Sequence, residues 1–457
     1  MCSDCKHRRC HKKDSSQRKI RVVTKNMTFG VDLGSRLTSS QGYTPTLPSF
    51  FDLFDLQLAG IPIPEVELAR MFENYWQQAN SESLFGSRSR LTAMAKELAT
   101  ADADVICLQE AVAITNNPLI NNDGSVRSLP YEVNNGFYGK EDSPEFSRTF
   151  NFVDMLIQRL RDNHGLEYHV LKERTLDTWQ GKRTLNTLAD AGGILNMTIF
   201  DAVIAKKKVK VELARTQEFF QSPKSKPFTI ALESDPENPV PIFGVTFGIR
   251  RGFISLDLKV CGKKFRLINT HLESGSNGPF DSLYVVPGDI QIDHAPAGRA
   301  QQALQLLREE VIPSPYPVIL AGDLNCEFID EVSSQEPYQV QALLTLAGSV
   351  DVAGNPTVDG GVMIDTGRAI HGNAITGPEF KTSSIAGSGR KWDRLRNPAS
   401  FYRIRIDHIL YRRDDHITPT EFGLTQPVPY PGGPPGTGPS QWAWTSDHNG
   451  VYADFKL

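Results

Sequence analysis

The chain has 457 residues, 39% of them hydrophobic and 22% charged, with a formal net charge of −4. This is ordinary composition for a globular chain with a large core, and it excludes an overall basic field that would gather nucleic acid. No run of about 18 apolar residues is present, which excludes a conventional transmembrane helix.

The six cysteines do not form a disulfide framework in so long a chain. With a polar, basic N-terminus in place of an apolar leader, reduced thiols point to a cytoplasmic setting. Lys206-Lys207-Lys208 with Lys210, Arg250-Arg251 and Lys263-Lys264 are local basic stretches that read best as solvated turns and strand ends.

Residues 1–19 are charged, Cys/His-rich and aperiodic, and are expected to be a disordered tail. Cys2, Cys5, His7, Cys10 and His11 are metal-ligating types, but their spacing is too cramped for a zinc module. Residues 20–28 read as a first strand, leading into Asn26 and a Gly-punctuated loop from Phe29 to Gly34. The Pro- and Phe-rich stretch from Tyr43 to Pro64 reads as a packed loop or cap. Its apolar residues 47–61 could meet an apolar substrate or a membrane surface, although packing on the body is the simpler account. Helical spacing follows over Glu65 to Gln78 and over about Arg88 to Thr100. Asp104 to Glu110 is then a buried strand ending in a carboxylate.

Residues 113–150 form a polar excursion expected on the surface, Phe152 to Asn163 a helix, and Glu167 to Glu173 a strand. Residues 174–193 read as a loop, Gly193 to Lys206 as one or two strands, and 221–241 as another surface excursion. Gly252 to Val260 and Lys264 to Thr270 make a hairpin around Cys261-Gly262-Lys263. Gln291 to Glu310 is a helix that feeds the strand Val318 to Leu320, and Pro337 to Ala347 is a further helix. Residues 353–400 show no usable pattern. Tyr402 to Tyr411 and Gly450 to Leu457 are the last strands. Strands that alternate with helices early and pair as hairpins later argue for a mixed α/β domain with more than one sheet.

Polar residues stand at the ends of these apolar runs: Asn26, Glu110, Asn269 with His271, Asp323 with Asn325, and Asp447 with His448. Asp407-His408 sits within a further run. Alone, Gly322-Asp323-Leu324-Asn325 is as well read as a turn as a site. Together the strand ends describe a cleft in which oxygen ligands could hold a hard divalent cation. His408 shares a face with Ile404, Ile406 and Leu410 and reads as structural.

These stretches resemble the endonuclease/exonuclease/phosphatase superfamily, the deoxyribonuclease-I-like metal-dependent phosphodiesterases. The matching pieces are Thr24-Lys25-Asn26 with Phe29-Gly30, Leu108-Gln109-Glu110, Asn269-Thr270-His271-Leu272, Gly322-Asp323-Leu324-Asn325, Arg405 to Leu410, and Ser446-Asp447-His448. They fall in the family's order across residues 20–457. The resemblance implies a single domain over those residues with long loop insertions, built as a four-layer α/β sandwich of two packed mixed β-sheets flanked by helices.

The resemblance also implies roles. Glu110 would be the principal metal ligand, with Asn26 and Asp447 helping to hold Mg²⁺ or Mn²⁺. Asp323 would orient or deprotonate the attacking water, and Asn325 would hold a phosphoryl oxygen. His271 and His448 would donate to the phosphate, with Asp407 fixing the tautomer of His448 and raising its pKa. Asp201 would either line the cleft or simply begin a strand, and Asp32 is a candidate for a water-mediated metal contact. The implied activity is metal-assisted hydrolysis of a phosphodiester or phosphomonoester, in nucleic acid or in a phospholipid or sphingomyelin-type headgroup. In texture the chain is closest to uncharacterised microbial members and the neutral sphingomyelinase branch, and no protein partner is implied. The alternative is a non-catalytic binding module that kept the fold.

Overall fold

The computed structural model describes residues 19–27, 87–116, 148–171, 184–186, 195–219, 228–230, 245–247, 251–272, 299, 302–326, 362–372, 374, 380–382, 404–413, 415–426, 430–431, 442–443, 445–446 and 448–457. The main strands are β1 (Lys19–Asn26), β2 (Val105–Asn116), β3 (Tyr168–Val170), β4 (Leu195–Lys206), β5 (Lys210–Glu218) and β6 (Gly252–Val260). They continue as β7 (Lys263–His271), β8 (Val318–Asp323), β9 (Met363–Asp365), β10 (Asp407–Arg412), β11 (Thr418–Leu424) and β12 (Val451–Lys456).

One sheet, eight-stranded, runs β11-β12-β1-β2-β4-β3, with the short strands Arg148–Asn151 on β2 and Thr184–Asn186 on β4. The other, six-stranded, runs β9-β10-β8-β7-β6-β5. Each sheet has a parallel pair near its centre, β1 with β2 and β7 with β8, and the remaining main-strand pairs are antiparallel. A parallel pair needs a crossover, which is usually helical. Here α1 (Ser87–Ala101) lies in the first crossover and helical residues 302–311 lie in the second.

Strand alternation decides what each face buries. Ile20, Val22, Val105, Cys107, Val203, Val451, Ala453 and Phe455 of the first sheet pack with Leu256, Phe265, Leu267, Ile319, Ala321 and Ile409 of the second. The intervening residues face outward. Phe253, Ile268, Val318, Leu320 and Leu410 pack under Ala303, Leu306, Leu307 and Val311 of the helical segment. On the first sheet, α2 (Phe152–His164) buries Phe152, Val153, Leu156 and Leu160, packs on β2, and meets α1. Asn151 caps α2 by accepting from Val153 N and Asp154 N, and Gly165, at φ 65°, ends it in the left-handed conformation that Gly tolerates best. The result is the expected four-layer sandwich, two mixed sheets face to face with helices outside.

Several elements depart from their expected bounds. β2 does not end at Glu110 but runs on to Asn116, where it pairs with Arg148–Asn151. Lys19, assigned to the tail, is the first residue of β1. The strand expected over Glu167 to Glu173 shrinks to Tyr168–Val170. β10 begins at Asp407 rather than near Tyr402, because Ile406 N and Asp407 N bond to the Thr382 hydroxyl instead of a neighbouring strand. The helix before β8 closes in a π-helical turn, Leu307–Val311. The patternless 353–400 stretch holds β9 and the short helix α3 (Thr366–His371). The tail at 1–18, the cap at 47–61, the loop from Phe29 to Gly34 with Asp32, the expected helices at 65–78 and 337–347, and Asp447 lie outside the described residues. No described helix is long and apolar enough to cross a membrane.

Gly322, just before Asp323, is required by close approach. It pairs with Thr270 in the parallel β7–β8 ladder, and a Cβ built on it would lie 1.9 Å from Thr270 O. Backbone cannot yield that distance cheaply. Gly322→Ala is expected to cost at least the roughly 1–3 kcal/mol of ordinary overpacking, read as a large drop in the thermal melt of whatever protein stays soluble. An unchanged melt would mean the two strands are not in this register.

Candidate active site

The inward stripes of five strands turn from apolar to polar at one end of the sandwich. β1 reads Ile20, Val22, Thr24, Asn26; β2 reads Val105, Cys107, Gln109; β7 reads Leu267, Asn269, His271; β8 reads Ile319, Ala321, Asp323. β10, running the other way, begins with Asp407 and continues to Ile409 and Tyr411. Register puts these ends side by side: Asn26 opposite Gln109 in one sheet, and His271, Asp323 and Asp407 in one row across the other. Period-two alternation therefore fixes the face, and the two parallel pairs fix the end.

Asp323 is the hub. Its Oδ2 accepts from Asn26 Nδ2 at 3.0 Å, lies 3.5 Å from His271 Nε2 and 3.8 Å from His448 Nδ1. Its Oδ1 accepts from Asn325 N at 2.9 Å. Asn325 sits at φ 49°, a left-handed turn conformation that Asn tolerates, and its Nδ2 donates to Leu272 O. His448 Nδ1 lies 2.8 Å from Asp407 Oδ2. Burial first, and then the neighbouring charge of Asp407, pushes the Asp323 carboxyl up to about 7.

Glu110 reaches this group from a bulge. The β2–β4 register slips between Leu108 and Ala111, and Glu110 takes φ 56°, an uncommon conformation for a residue other than Gly. A bulge re-aims a side chain, and here the Glu110 carboxylate lies 4.0 Å from His271 Nε2 with its side chain 18% exposed. Glu110 N donates to Asp201 Oδ1 at 3.4 Å. Asp201 lies beneath the Glu110 bulge, on the inward stripe of β4 with Val203 and Ala205, with its carboxyl pushed up to about 7 by burial and pulled down by Arg251.

Other buried polar groups brace the cleft from behind. Lys25, pointing outward from β1, donates to Glu97 Oε1 at 2.9 Å and to His448 O at 2.8 Å. Glu97 also accepts from Thr425 and Thr445. The Ser446 hydroxyl donates to Asn26 O and accepts from His448 N. These bonds tie the segment that carries His448 to β1 and α1. His408 is structural, as expected. It is fully buried, with Nδ1 3.1 Å from Asp365 Oδ2 and Nε2 2.9 Å from Cys326 O, just past the Asp323–Asn325 turn. Arg405 makes a two-point contact with the same Asp365, whose carboxyl is held below the usual carboxylate range despite burial.

Lys206, Lys207 and Lys208 pair with Asp102, Glu167 and Asp104 at the opposite end of the first sheet, and Lys264 pairs with Glu212. Arg251, expected at a solvated turn or strand end, is instead buried, and so it forms no basic wall either.

The donor set fits a divalent cation. Ligand atoms of Asp323, Asp407 and His448 lie within 4.8 Å of one another, and Asp407 Oδ1 is buried without a hydrogen-bond partner among the described residues. Hard oxygen donors crowded into excess buried negative charge suit such an ion.

A family model described as the endonuclease/exonuclease/phosphatase family matches residues 216–448. The chain belongs to the endonuclease/exonuclease/phosphatase family. It is therefore an enzyme of a class of divalent-metal-dependent phosphoric ester hydrolases. The matched residues include His271, Asp323, Asn325, Asp407 and His448. Among solved structures, the chain is similar to a D. rerio TDP2 humanized by 14 mutations, at 14% identity over 96% of this chain and 99% of that one, with a TM-score of 0.41. It is similar to an endonuclease/exonuclease/phosphatase family protein of Bacteroides thetaiotaomicron at 12% identity, over 96% and 99%, with a TM-score of 0.44. A mannosyl-6-phosphatase of Bacteroides thetaiotaomicron is similar at 13% identity, over 96% and 100%, with a TM-score of 0.42. No curated protein matches the chain.

Proposed function

We propose that this enzyme hydrolyses a phosphodiester by in-line attack of water, with Mg²⁺ as the working ion and Mn²⁺ as a substitute. The observation that carries the reading is the placement of Asp323 between two imidazoles, His271 at 3.5 Å and His448 at 3.8 Å, with Asp407 2.8 Å from the same Nδ1 of His448 that faces Asp323, which leaves its Nε2 to face substrate.

Glu110, Asn26 and Asp447 would hold the ion beside the Asp323–Asp407–His448 group, whose crowded buried carboxylates would favour a cation there without being its main ligands, and the ion would supply charge neutralisation at the phosphate. Asp323, with a carboxyl near neutrality, accepts a proton from water at working pH, as a general base should. Its bonds from Asn26 and Asn325 N fix the direction in which it accepts. His271 and His448 donate to the phosphate oxygens as negative charge builds up. With its Nδ1 proton held by Asp407, His448 donates through Nε2. Asn325 holds a further phosphoryl oxygen through its amide.

Two substrate classes fit this chemistry, a nucleic acid strand and a phospholipid or sphingomyelin-type headgroup. The pairing of Lys206–Lys208 with acidic groups away from the cleft supports the compact headgroup over a long duplex. The same reading treats the chain from Lys19, the first residue of β1, to Leu457 as one domain, with the residues before it as its tail. It also places the enzyme in the cytoplasm, in keeping with the buried free thiol of Cys107.

The test is hydrolysis of bis-p-nitrophenyl phosphate, p-nitrophenyl phosphate, plasmid DNA and sphingomyelin with MgCl₂, MnCl₂ or EDTA. Metal-dependent turnover of at least one diester is expected. Folded protein inert towards every substrate with both metals would favour the binding-module alternative.

A further inference from the structure

The bulge that aims Glu110 creates a structural problem. Between Leu108 and Ala111, Gln109 and Glu110 on β2 stand against the single residue Asp201 on β4. A bulge of this kind disrupts the ladder locally, and buried carbonyls at the break need another donor. They find it in the opposite sheet. Asn269 Nδ2, on β7, donates to Leu108 O at 3.2 Å and to Ala202 O at 3.1 Å, one carbonyl from each strand of the register pair that borders the bulge. Asn269 Oδ1 accepts from Gln109 Nε2 at 2.8 Å, and Gln109 Nε2 also donates to Thr24 Oγ1 at 3.0 Å. Thr24, Gln109 and Asn269 are fully buried. Both amide hydrogens of Asn269 and its oxygen are thus engaged around one bulge.

We propose that Asn269 is a positioning residue for Glu110. It ties both strands of the bulge and the preceding Gln109 to the opposite sheet, and so keeps Glu110 in its left-handed conformation with the carboxylate turned into the cleft. A simple sheet-to-sheet bond needs one partner. Asn269 instead uses three contacts, all on residues 108, 109 and 202 that frame the bulge. An Asp at 269 would set a carboxylate against two carbonyls, so the amide is specifically required. The proposal rests on the reading of Glu110 as an ion-holding residue.

The test uses the full chain and Mn²⁺ alone as probe. Mn²⁺ binding is measured by titration, together with amide exchange over residues 105–116 in EDTA, for wild type, Asn269→Ala, Glu110→Ala and the double variant. Groups that orient a metal ligand typically change affinity about 10–100-fold. Asn269→Ala is expected to weaken Mn²⁺ binding by about that factor and to speed exchange at the bulge. In the Glu110→Ala background it should cause no further loss of affinity, because the residue it positions is gone. Undiminished Mn²⁺ binding in Asn269→Ala, or an equal loss in both backgrounds, would overturn the proposal alone. A wild type that binds no Mn²⁺ would overturn the reading of Glu110, and this proposal with it. Should Asn269→Ala fail to fold, Gln109→Leu removes the bond to Asn269 at similar volume, and the same two measurements should move in the same direction. If neither moves, the proposal falls.

Discussion

Asp323→Asn is expected to lower kcat by on the order of 10²–10⁴-fold while raising the melting temperature of the metal-free protein above neutral pH. The loss of rate follows because the amide cannot take a proton from water. The gain in stability follows from the crowding that makes Asp323 useful. Its carboxyl is buried beside Asp407, and it is pushed up to about 7 from an ordinary value near 3.8. The folded protein therefore keeps a proton on Asp323 between those values while the unfolded chain has lost it. Stability from this group is complete below about pH 4, declines as pH rises, and is lost as pH passes through about 7. An Asn carries no charge at any of these pH values, so the variant should gain little over wild type at pH 4 and most at pH 8. Asp201, raised for the same reason of burial, leaves a weaker decline in the variant itself. Melts at pH 4 and 8 in EDTA, repeated with MgCl₂, check the sign. Mg²⁺ should shrink the difference at pH 8 by compensating the wild-type carboxylates. A variant that melts lower than wild type at pH 8 in EDTA would show that Asp323 is held by its hydrogen bonds more strongly than it is repelled by Asp407.

Such trade-offs of stability for function mark the parts of this chain that a linear reading locates well. Asn26, His271, Asp323 and Asp407 were legible because a strand's period of two fixes its inward face, and each lies two residues from a buried apolar or polar neighbour on that face. Glu110 was legible as a residue but not as a geometry. A carboxylate after Val105-Ile106-Cys107-Leu108 looks like the end of a strand, whereas the bulge depends on how β4 pairs with β2. The place of Asp201 is hidden in the sequence for the same reason, since it is set by the Glu110 N–H from which its carboxylate accepts. The buried pairing of Lys25 with Glu97 has no signal in the sequence. A Lys in a strand and a Glu on a helix each read as solvent-facing, and only packing of α1 against β1 makes them a buried pair. Asp365 lies in a stretch without pattern, 40 residues before the Arg405 that holds it. The substrate is not written in any of these residues, because the same electrostatic frame serves many phosphoric esters.

The second large effect tests whether His448 and Asp407 act as one unit. His448→Ala removes a donor to the developing charge and should lower kcat by on the order of 10²–10³-fold. Asp407→Asn leaves the imidazole in place but replaces the acceptor 2.8 Å from Nδ1 with an amide. The ring then loses both its fixed tautomer and the carboxylate that stabilises its charged form, so the loss in kcat should approach that of His448→Ala. Once either member is gone the other has nothing to act through. The double variant should therefore lie within about threefold of His448→Ala, rather than at the product of the two losses. Neither kinetic effect should come from collapse of the segment. His448 is held through its main chain, by Lys25 Nζ on its carbonyl and by the Ser446 hydroxyl on its N–H, and these bonds survive truncation of the side chain. The melt of His448→Ala should accordingly show a loss of only the roughly 1–3 kcal/mol that leaving the buried Asp407 carboxylate without its imidazole costs, and KM should change little. Losses that multiply in the double variant would show two independent contributions, Asp407 then acting on the ion or on Asp323 rather than through His448. Asp407 Oδ1, which has no hydrogen-bond partner among the described residues, makes that outcome chemically specific, since Asp407 could then contribute an oxygen to the ion without the imidazole. Mn²⁺ affinity of Asp407→Asn separates the two cases: unchanged if Asp407 works through His448, weakened if it works on the metal.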